Sequence, residues 1–83
     1  MEEKVKKERE KNLKFFEQNL DTWLKDVAYK HKHVIIFDQK VQKVFDKFSD
    51  ALEYAVPRFP NGEFIIQHVI GKDEQVGFLK LAI

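Results

Sequence analysis

The sequence predicts an α+β domain in which a small, mainly antiparallel sheet of three or four strands packs with two helices. Three observations support this fold class. Residues 34–37, VIIF, form an unbroken β-branched and aromatic run, which is typical of a buried strand. An apolar stripe at helical spacing precedes this run, and a second helical segment and another apolar strand follow it. The predicted order is α-β-β-α-β, with or without one further β-strand at the C-terminus.

The first predicted helix covers residues 2–29. Its apolar side chains recur at spacings of three and four, the period of one helix face, at Leu13, Phe16, Leu20, Trp23 and Val27. We interpret this stripe as the face that packs on the sheet, because a coiled-coil seam needs more heptads than the chain contains. Residues 1–12 are mostly charged and are predicted to form a solvated helical extension of a single domain at residues 13–83.

Residues 33–45 predict a β-hairpin at the centre of the sheet. After the first apolar strand, residues 38–40 supply a turn, and Val41, Val44 and Phe45 supply the returning strand. No Asn-Gly or Asp-Gly pair fixes the turn type, so the pattern leaves the register open.

The remaining segments predict a second helix and a third strand. Asp46 is the expected N-cap of the helix, and Pro57 is expected to kink or end it near Ala55. Residues 63–70 read as an almost wholly apolar strand, and residues 76–83 as a last strand. A crossover from the second strand to the third places the first strand between them.

Both faces of the predicted strands are apolar, which leaves two arrangements of the helices open. If both helices cover one face, the other face exposes an apolar patch that would bind a partner protein or a second copy of the chain. The candidate interface residues on that face are Ile35, Phe37, Ile65 and Val69. If each helix covers one face, the result is a three-layer monomer without such a patch. The first arrangement makes the chain a small non-catalytic protein-interaction or accessory domain.

A nucleic-acid-binding module is the alternative function. Its candidate contacts lie at the exit of the first helix and in the hairpin, at Lys30, His31, Lys32, Lys40 and Lys43. The chain carries 15 basic and 14 acidic side chains, for a net charge of +1, so its overall charge does not favour a polyanion as partner. The same cations also complement the dipole at a helix C-terminus.

The sequence contains no motif that predicts catalysis or a cofactor. Neither Thr22 nor Ser49 lies in a nucleophile context, and no Gly-rich phosphate-binding loop is present. His31, His33 and His68 could share a metal ion, but no carboxylate or cysteine is spaced to complete a ligand set, so no metal site is predicted. The lack of cysteine and of long apolar runs favours a protein of the cytoplasm that neither crosses a membrane nor is secreted.

The segment from Phe15 to Val69 resembles a family of short prokaryotic proteins of unknown function. The matching pieces are a hairpin at Val34–Asp46, a helix start at Phe48–Leu52, the pair Arg58-Phe59, and a strand at Phe64–Val69. Two positions depart from the family pattern: Gln39 stands where a turn glycine is expected, and Pro57 interrupts the second helix. The resemblance implies the helix, hairpin, helix, strand order, and it supplies no catalytic residues.

Overall fold

A computed structural model describes residues 2–71, which form two helices and three strands. The predicted order α-β-β-α-β is confirmed. The predicted strand at residues 76–83 lies outside the described residues. The elements are α1 (Glu2–Trp23), β1 (His33–Phe37), β2 (Lys40–Phe45), α2 (Phe48–Arg58) and β3 (Phe64–His68).

The three strands form one antiparallel sheet in the order β2-β1-β3. The predicted central position of the first strand is therefore confirmed. Between β1 and β3 the register is regular, with Ile35 opposite Ile66 and Ile36 opposite Ile65. Side chains alternate between the two faces along each strand, so Ile35 and Ile66 share one face while Ile36 and Ile65 share the other.

The pairing of β1 with β2 contains a β-bulge at Gln42. Ile36 lies opposite Val41. Two residues earlier in β1, Val34 lies opposite Val44, so β2 has one more residue than β1 over this stretch. The extra residue, Gln42, is why Val41 and Val44 face the same side of the sheet although they are three residues apart.

Each face of the sheet is covered by one helix, which makes a three-layer structure. On one face the α1 residues Phe16, Leu20 and Trp23 pack with the strand residues Val34, Ile36 and Ile65 and with Val69 beyond β3. On the other face the α2 residues Ala51 and Ala55 pack with Ile35, Phe64 and Ile66. All of these side chains are buried, so the core consists of two apolar layers separated by the sheet.

Within residues 2–71 neither face of the sheet is open, so the predicted arrangement with both helices on one face is wrong. Ile35 is fully buried under α2, whereas Ile65 and Val69 are fully buried under α1. Phe37 is half-buried, and its ring stacks on that of Phe59 with the centroids 4.4 Å apart. The four residues lie on two different faces, because Ile35 pairs with Ile66 rather than with Ile65.

Helix α1 ends at Trp23, six residues before the predicted end at residue 29. Asp26 explains the early end, because its side-chain Oδ1 accepts a hydrogen bond from the N–H of Ala28 at 2.9 Å and its carbonyl accepts from Tyr29 and Lys30. The chain turns back at this point, and the Tyr29 ring stacks on Trp23 with the centroids 5.2 Å apart. Val27, predicted to belong to the buried stripe, is 90% exposed.

The hairpin turn consists of Asp38 and Gln39, both with positive φ, at 54° and 56°. Positive φ at both central residues is the signature of the type I′ turn, whose twist matches that of the flanking strands. The fully buried side chain of Asn12, in α1, stabilises this turn. Its Oδ1 accepts a hydrogen bond from the N–H of Gln39 at 2.8 Å, and its Nδ2 donates to the carbonyl of Glu63 at 3.0 Å. The predicted boundary between residues 12 and 13 therefore falls inside a continuous helix, directly beside a buried side chain.

The predicted N-cap of the second helix is wrong, and of the two outcomes predicted at Pro57 the early end near Ala55 is not found. The N-cap is Lys47 rather than Asp46, and no side chain caps the helix there. The Asp46 carboxylate instead forms an ion pair with Lys32. At the other end α2 does not stop near Ala55 but continues through Pro57 to Arg58. Pro57 removes one intrahelical hydrogen bond, but only Arg58 follows it in the helix, so no further turn of helix is disturbed.

Candidate functional site

The side of the molecule formed by β2 and α2 carries a cluster of two cations and two aromatic rings, which we call the cation–aromatic cluster: Lys43, Phe45, Tyr54 and Arg58. The Lys43 Nζ lies 5.4 Å from the centre of the Phe45 ring and 5.0 Å from that of Tyr54. The Arg58 guanidinium carbon lies 3.7 Å from the centre of the Tyr54 ring. The two rings are tilted against each other with their centroids 5.4 Å apart. These distances are within the range of cation–π and aromatic contacts.

The bulge in β2 and the period of α2 bring this cluster together. Because Gln42 is an extra residue, Lys40, Lys43 and Phe45 all lie on the α2 face of the sheet, opposite Phe37, Ile35 and His33 respectively. Tyr54 and Arg58 are four residues apart in α2 and are therefore neighbours on one helix face. The Arg58 Nη1 also donates a hydrogen bond to the Tyr54 carbonyl at 3.2 Å, which holds the guanidinium over the ring.

Strand β2 is an edge of the sheet within the described part of the chain. Lys40, Gln42 and Lys43 are exposed, whereas Val41 and Val44 are half-buried beside α1. Residues 39–45 contain both lysines and no acidic residue, so this edge is positively charged. An edge strand also presents backbone N–H and C=O groups that pair with no neighbouring strand.

A pair of histidines lies at the end of the sheet where β1 begins, with His33 directly opposite Phe45 of the cluster. His33 and His68 are direct partners across β1 and β3, and their rings stack with the centroids 4.2 Å apart and 11° between the planes. The His33 Nδ1 lies 3.2 Å from the Asp46 carbonyl, and the His68 Nε2 lies 3.2 Å from the His31 carbonyl. Because carbonyl oxygens only accept, each of these ring nitrogens carries the proton and donates it.

Burial is the main reason that the pKa of His33 lies below its usual value, and the charge that His68 gains on protonation lowers it further. The hydrogen bond to the Asp46 carbonyl acts in the opposite direction. Beside this pair, the Lys32 ammonium lowers the pKa of the Asp46 carboxyl by hydrogen bonding and by its charge. The surroundings of His33 therefore favour its neutral imidazole over the protonated form.

The candidate nucleic-acid contacts are divided between the two ends of the sheet. Lys30, His31 and Lys32 precede β1, and the charge of Lys32 is paired with Asp46. Lys40 begins β2, at the opposite end of the sheet. Lys40 and Lys43 lie on the α2 face of the sheet, and Lys43 belongs to the cation–aromatic cluster.

His31, His33 and His68 do not form a metal centre in the structure. Residues 2–71 contain no group of three or more His, Cys, Asp or Glu side chains arranged to hold a metal ion. His33 and His68 stack face to face, and each directs one ring nitrogen to a backbone carbonyl. The carbonyl that faces His68 belongs to the backbone of His31.

The sequence reasoning missed Phe45, Tyr54 and Arg58 as members of a site. The i,i+4 spacing of Tyr54 and Arg58 was the available signal, because a tyrosine and an arginine one helical turn apart commonly contact each other. The approach of Lys43 to Tyr54 could not be read from the sequence, since it depends on the position of the bulge.

Comparisons of the chain with protein-family models, with curated proteins and with solved structures found no match. The resemblance to a family of short prokaryotic proteins therefore stays a prediction. Neither helix within residues 2–71 is both long and apolar enough to span a membrane.

Proposed function

We propose that this chain is a small non-catalytic domain that binds another protein through the side formed by β2 and α2. The observation that carries the proposal is the cation–aromatic cluster beside β2, which is an edge strand among the described residues 2–71. Tyrosine and arginine are the residue types most enriched at the centres of protein interfaces. A cytoplasmic location, predicted from the composition, is part of the same proposal.

The contacts within the cluster favour binding because they hold long side chains in place before a partner arrives. Arg58 is fixed by the Tyr54 ring and by the Tyr54 carbonyl, and Lys43 lies over two rings. Ordering such side chains on binding normally costs free energy, so side chains that are already ordered lose less. The outward donors of the guanidinium can then pair with carboxylates of a partner.

Protein is a better fit to this surface than nucleic acid. Single-stranded nucleic acids bind by stacking bases on open aromatic rings. Arg58 already occupies one face of the Tyr54 ring at 3.7 Å, and Lys43 lies over both rings of the cluster. The net charge of +1 also gives little long-range attraction for a polyanion.

The test compares the proteins retained from an extract of the source cells by three immobilised forms of the chain. The forms are the wild type, a Lys43→Glu/Arg58→Glu double variant, and a Lys14→Glu/Lys25→Glu control that reverses two exposed charges on α1 and just beyond it. Circular dichroism verifies that all three are folded. A retained protein is then purified, and its affinity for each form is measured with and without nuclease treatment.

We expect a partner that the wild type and the control bind equally and that the cluster variant loses. Equal binding by all three forms would contradict the proposal. Binding that disappears with nuclease treatment would instead support the nucleic-acid alternative.

A further inference from the structure

We infer that the partner contributes an extended segment of alternating acidic and aliphatic residues that adds to the sheet along β2, the edge that no strand of residues 2–71 occupies. This inference rests on the proposed function and specifies the chemistry of its partner. In such strand addition, main-chain hydrogen bonds supply affinity, and the alternating side chains supply specificity.

The side chains on the two faces of β2 explain why the partner segment should alternate acidic and aliphatic residues. On the α2 face, Lys40 and Lys43 are exposed, and Arg58 lies next to Lys43 because both contact the Tyr54 ring. On the α1 face, Val41 and Val44 are half-buried at the margin of the larger apolar cluster. Successive side chains of an added strand point to opposite faces. Every second residue of the segment would therefore meet cations, and the residues between them would meet valines.

A second copy of the chain is a poor occupant of this edge. Pairing β2 with β2 of another copy would bring together two strands that each carry Lys40 and Lys43 and no acidic residue. Charged edge residues and bulges are the features by which natural sheets avoid such self-pairing. The same lysines attract a segment of opposite charge, so the charge that disfavours self-pairing favours an acidic partner.

The probe is a short capped peptide that alternates glutamate and valine, with two matched controls. One control replaces each glutamate by glutamine, and the other carries N-methyl groups on alternate backbone nitrogens, which removes the donors for strand pairing. The binding of each peptide to the whole chain is followed at low salt by heteronuclear NMR. Amide hydrogen exchange is measured in the same samples, and an oligothymidylate is titrated separately.

We expect the glutamate peptide to shift the amide resonances of residues 40–45 and to slow exchange of those β2 amides that do not bond to β1. The glutamine peptide should bind about ten-fold more weakly, the factor that two or three exposed ion pairs together supply. The Lys43→Glu variant should lose a similar factor, and Lys14→Glu should lose none. The N-methylated peptide should not slow exchange in β2.

Equal binding of the glutamate and glutamine peptides, or resonance shifts away from β2, would overturn the inference. Tighter binding of oligothymidylate than of any peptide would overturn it as well. A partner that depends on Lys43 and Arg58 but leaves exchange in β2 unchanged would refute strand addition while leaving the proposed function intact. Failure of both experiments would refute both.

Discussion

Asn12 and Gln39, 27 positions apart in the sequence, are joined by a hydrogen bond of 2.8 Å from the Gln39 N–H to the Asn12 Oδ1. The second half of the Asn12 amide donates to the Glu63 carbonyl. One fully buried side chain therefore ties α1 to the hairpin turn and to the segment just before β3. A buried amide with both ends satisfied fixes how the helix lies on the sheet.

The first prediction is that Asn12→Ala lowers the free energy of unfolding by roughly 2 kcal/mol, because two backbone groups lose their partners in a partly buried place. Asn12→Asp should also destabilise, since it keeps the acceptor for Gln39 but sets a carboxylate against the Glu63 carbonyl. Urea denaturation measures both effects. The control is Asn19→Ala, which removes a bond only to Phe15 of the same helix. Equal decreases in the free energy of unfolding for Asn12→Ala and Asn19→Ala would show that the hydrogen bonds of Asn12 to Gln39 and Glu63 add no stability.

The second prediction concerns the turn residue Gln39, which has a φ of 56°. A left-handed conformation costs a non-glycine residue about 1–2 kcal/mol. Glycine avoids this cost, but part of the gain is offset because glycine loses more backbone entropy when the chain folds. Gln39→Gly should therefore raise the melting temperature modestly while keeping the N–H that bonds to Asn12. The same change at Gln18, inside α1, should lower it by the usual helix penalty. A lower melting temperature for Gln39→Gly would contradict the type I′ turn.

The third prediction concerns Pro57, which lies inside the last turn of α2. Pro57→Ala restores an N–H that can donate to the Glu53 carbonyl, which stabilises the folded helix. The same change gives the unfolded chain more conformational freedom, and the new hydrogen bond offsets that loss of stability. Thermal denaturation should show an unchanged or higher melting temperature. In contrast, Pro60→Ala, in the turn after the helix, should lower it slightly because proline there restricts only the unfolded chain. A clear loss of stability in Pro57→Ala would mean that the helix ends earlier.

The fourth prediction is a loss of stability in mild acid that depends on the histidine pair. The pKa of His33 is lowered in the folded protein, first by burial and then by the charge of His68, so the unfolded chain binds the proton more readily. Stability from neutral His33 is fully present above its unfolded pKa of about 6.5 and is lost as the pH falls below that value toward the lower folded pKa.

The variant His68→Gln tests this dependence, because it removes the neighbouring charge and leaves the burial of His33. Its free energy of unfolding should fall less steeply than that of the wild type as the pH is lowered from 7. Identical slopes for the two proteins would show that the stacked rings are not coupled. Protonation of Asp46 acts at much lower pH, because Lys32 depresses its pKa, and so does not disturb this comparison.

The order of elements and of strands could be predicted because each depends on a local pattern. The VIIF run and the apolar strand after Gly62 have a composition that is typical of buried strands, and the connection between β2 and β3 requires a crossover. The stripe of α1 was predicted as far as Trp23 for the same reason. The pattern failed after Trp23, because Asp26 supplies a local acceptor that competes with the helix.

The other differences arise from contacts between residues far apart in the sequence. Asp46 is a residue type that favours the N-cap, but the helix begins one residue later, after Lys47, and the Asp46 carboxylate pairs with Lys32 instead. The bulge at Gln42 decides which β2 side chains meet α2, and nothing in the composition of that strand marks it. Composition also shows that both faces of the sheet are apolar without showing which helix covers which face, so the cation–aromatic cluster became visible only in the structure.

The most direct test of this account is a set of nuclear Overhauser contacts from two neighbouring residues of β1. If each face of the sheet is covered by its own helix, the Ile35 methyl groups should contact the methyl groups of Ala51 or Ala55 in α2, and the Ile36 methyl groups should contact Leu20 or Trp23 in α1. Contacts of both isoleucines with the same helix, or of Ile35 with no helix, would contradict the three-layer structure. Either result would mean that one face of the sheet is not covered by a helix.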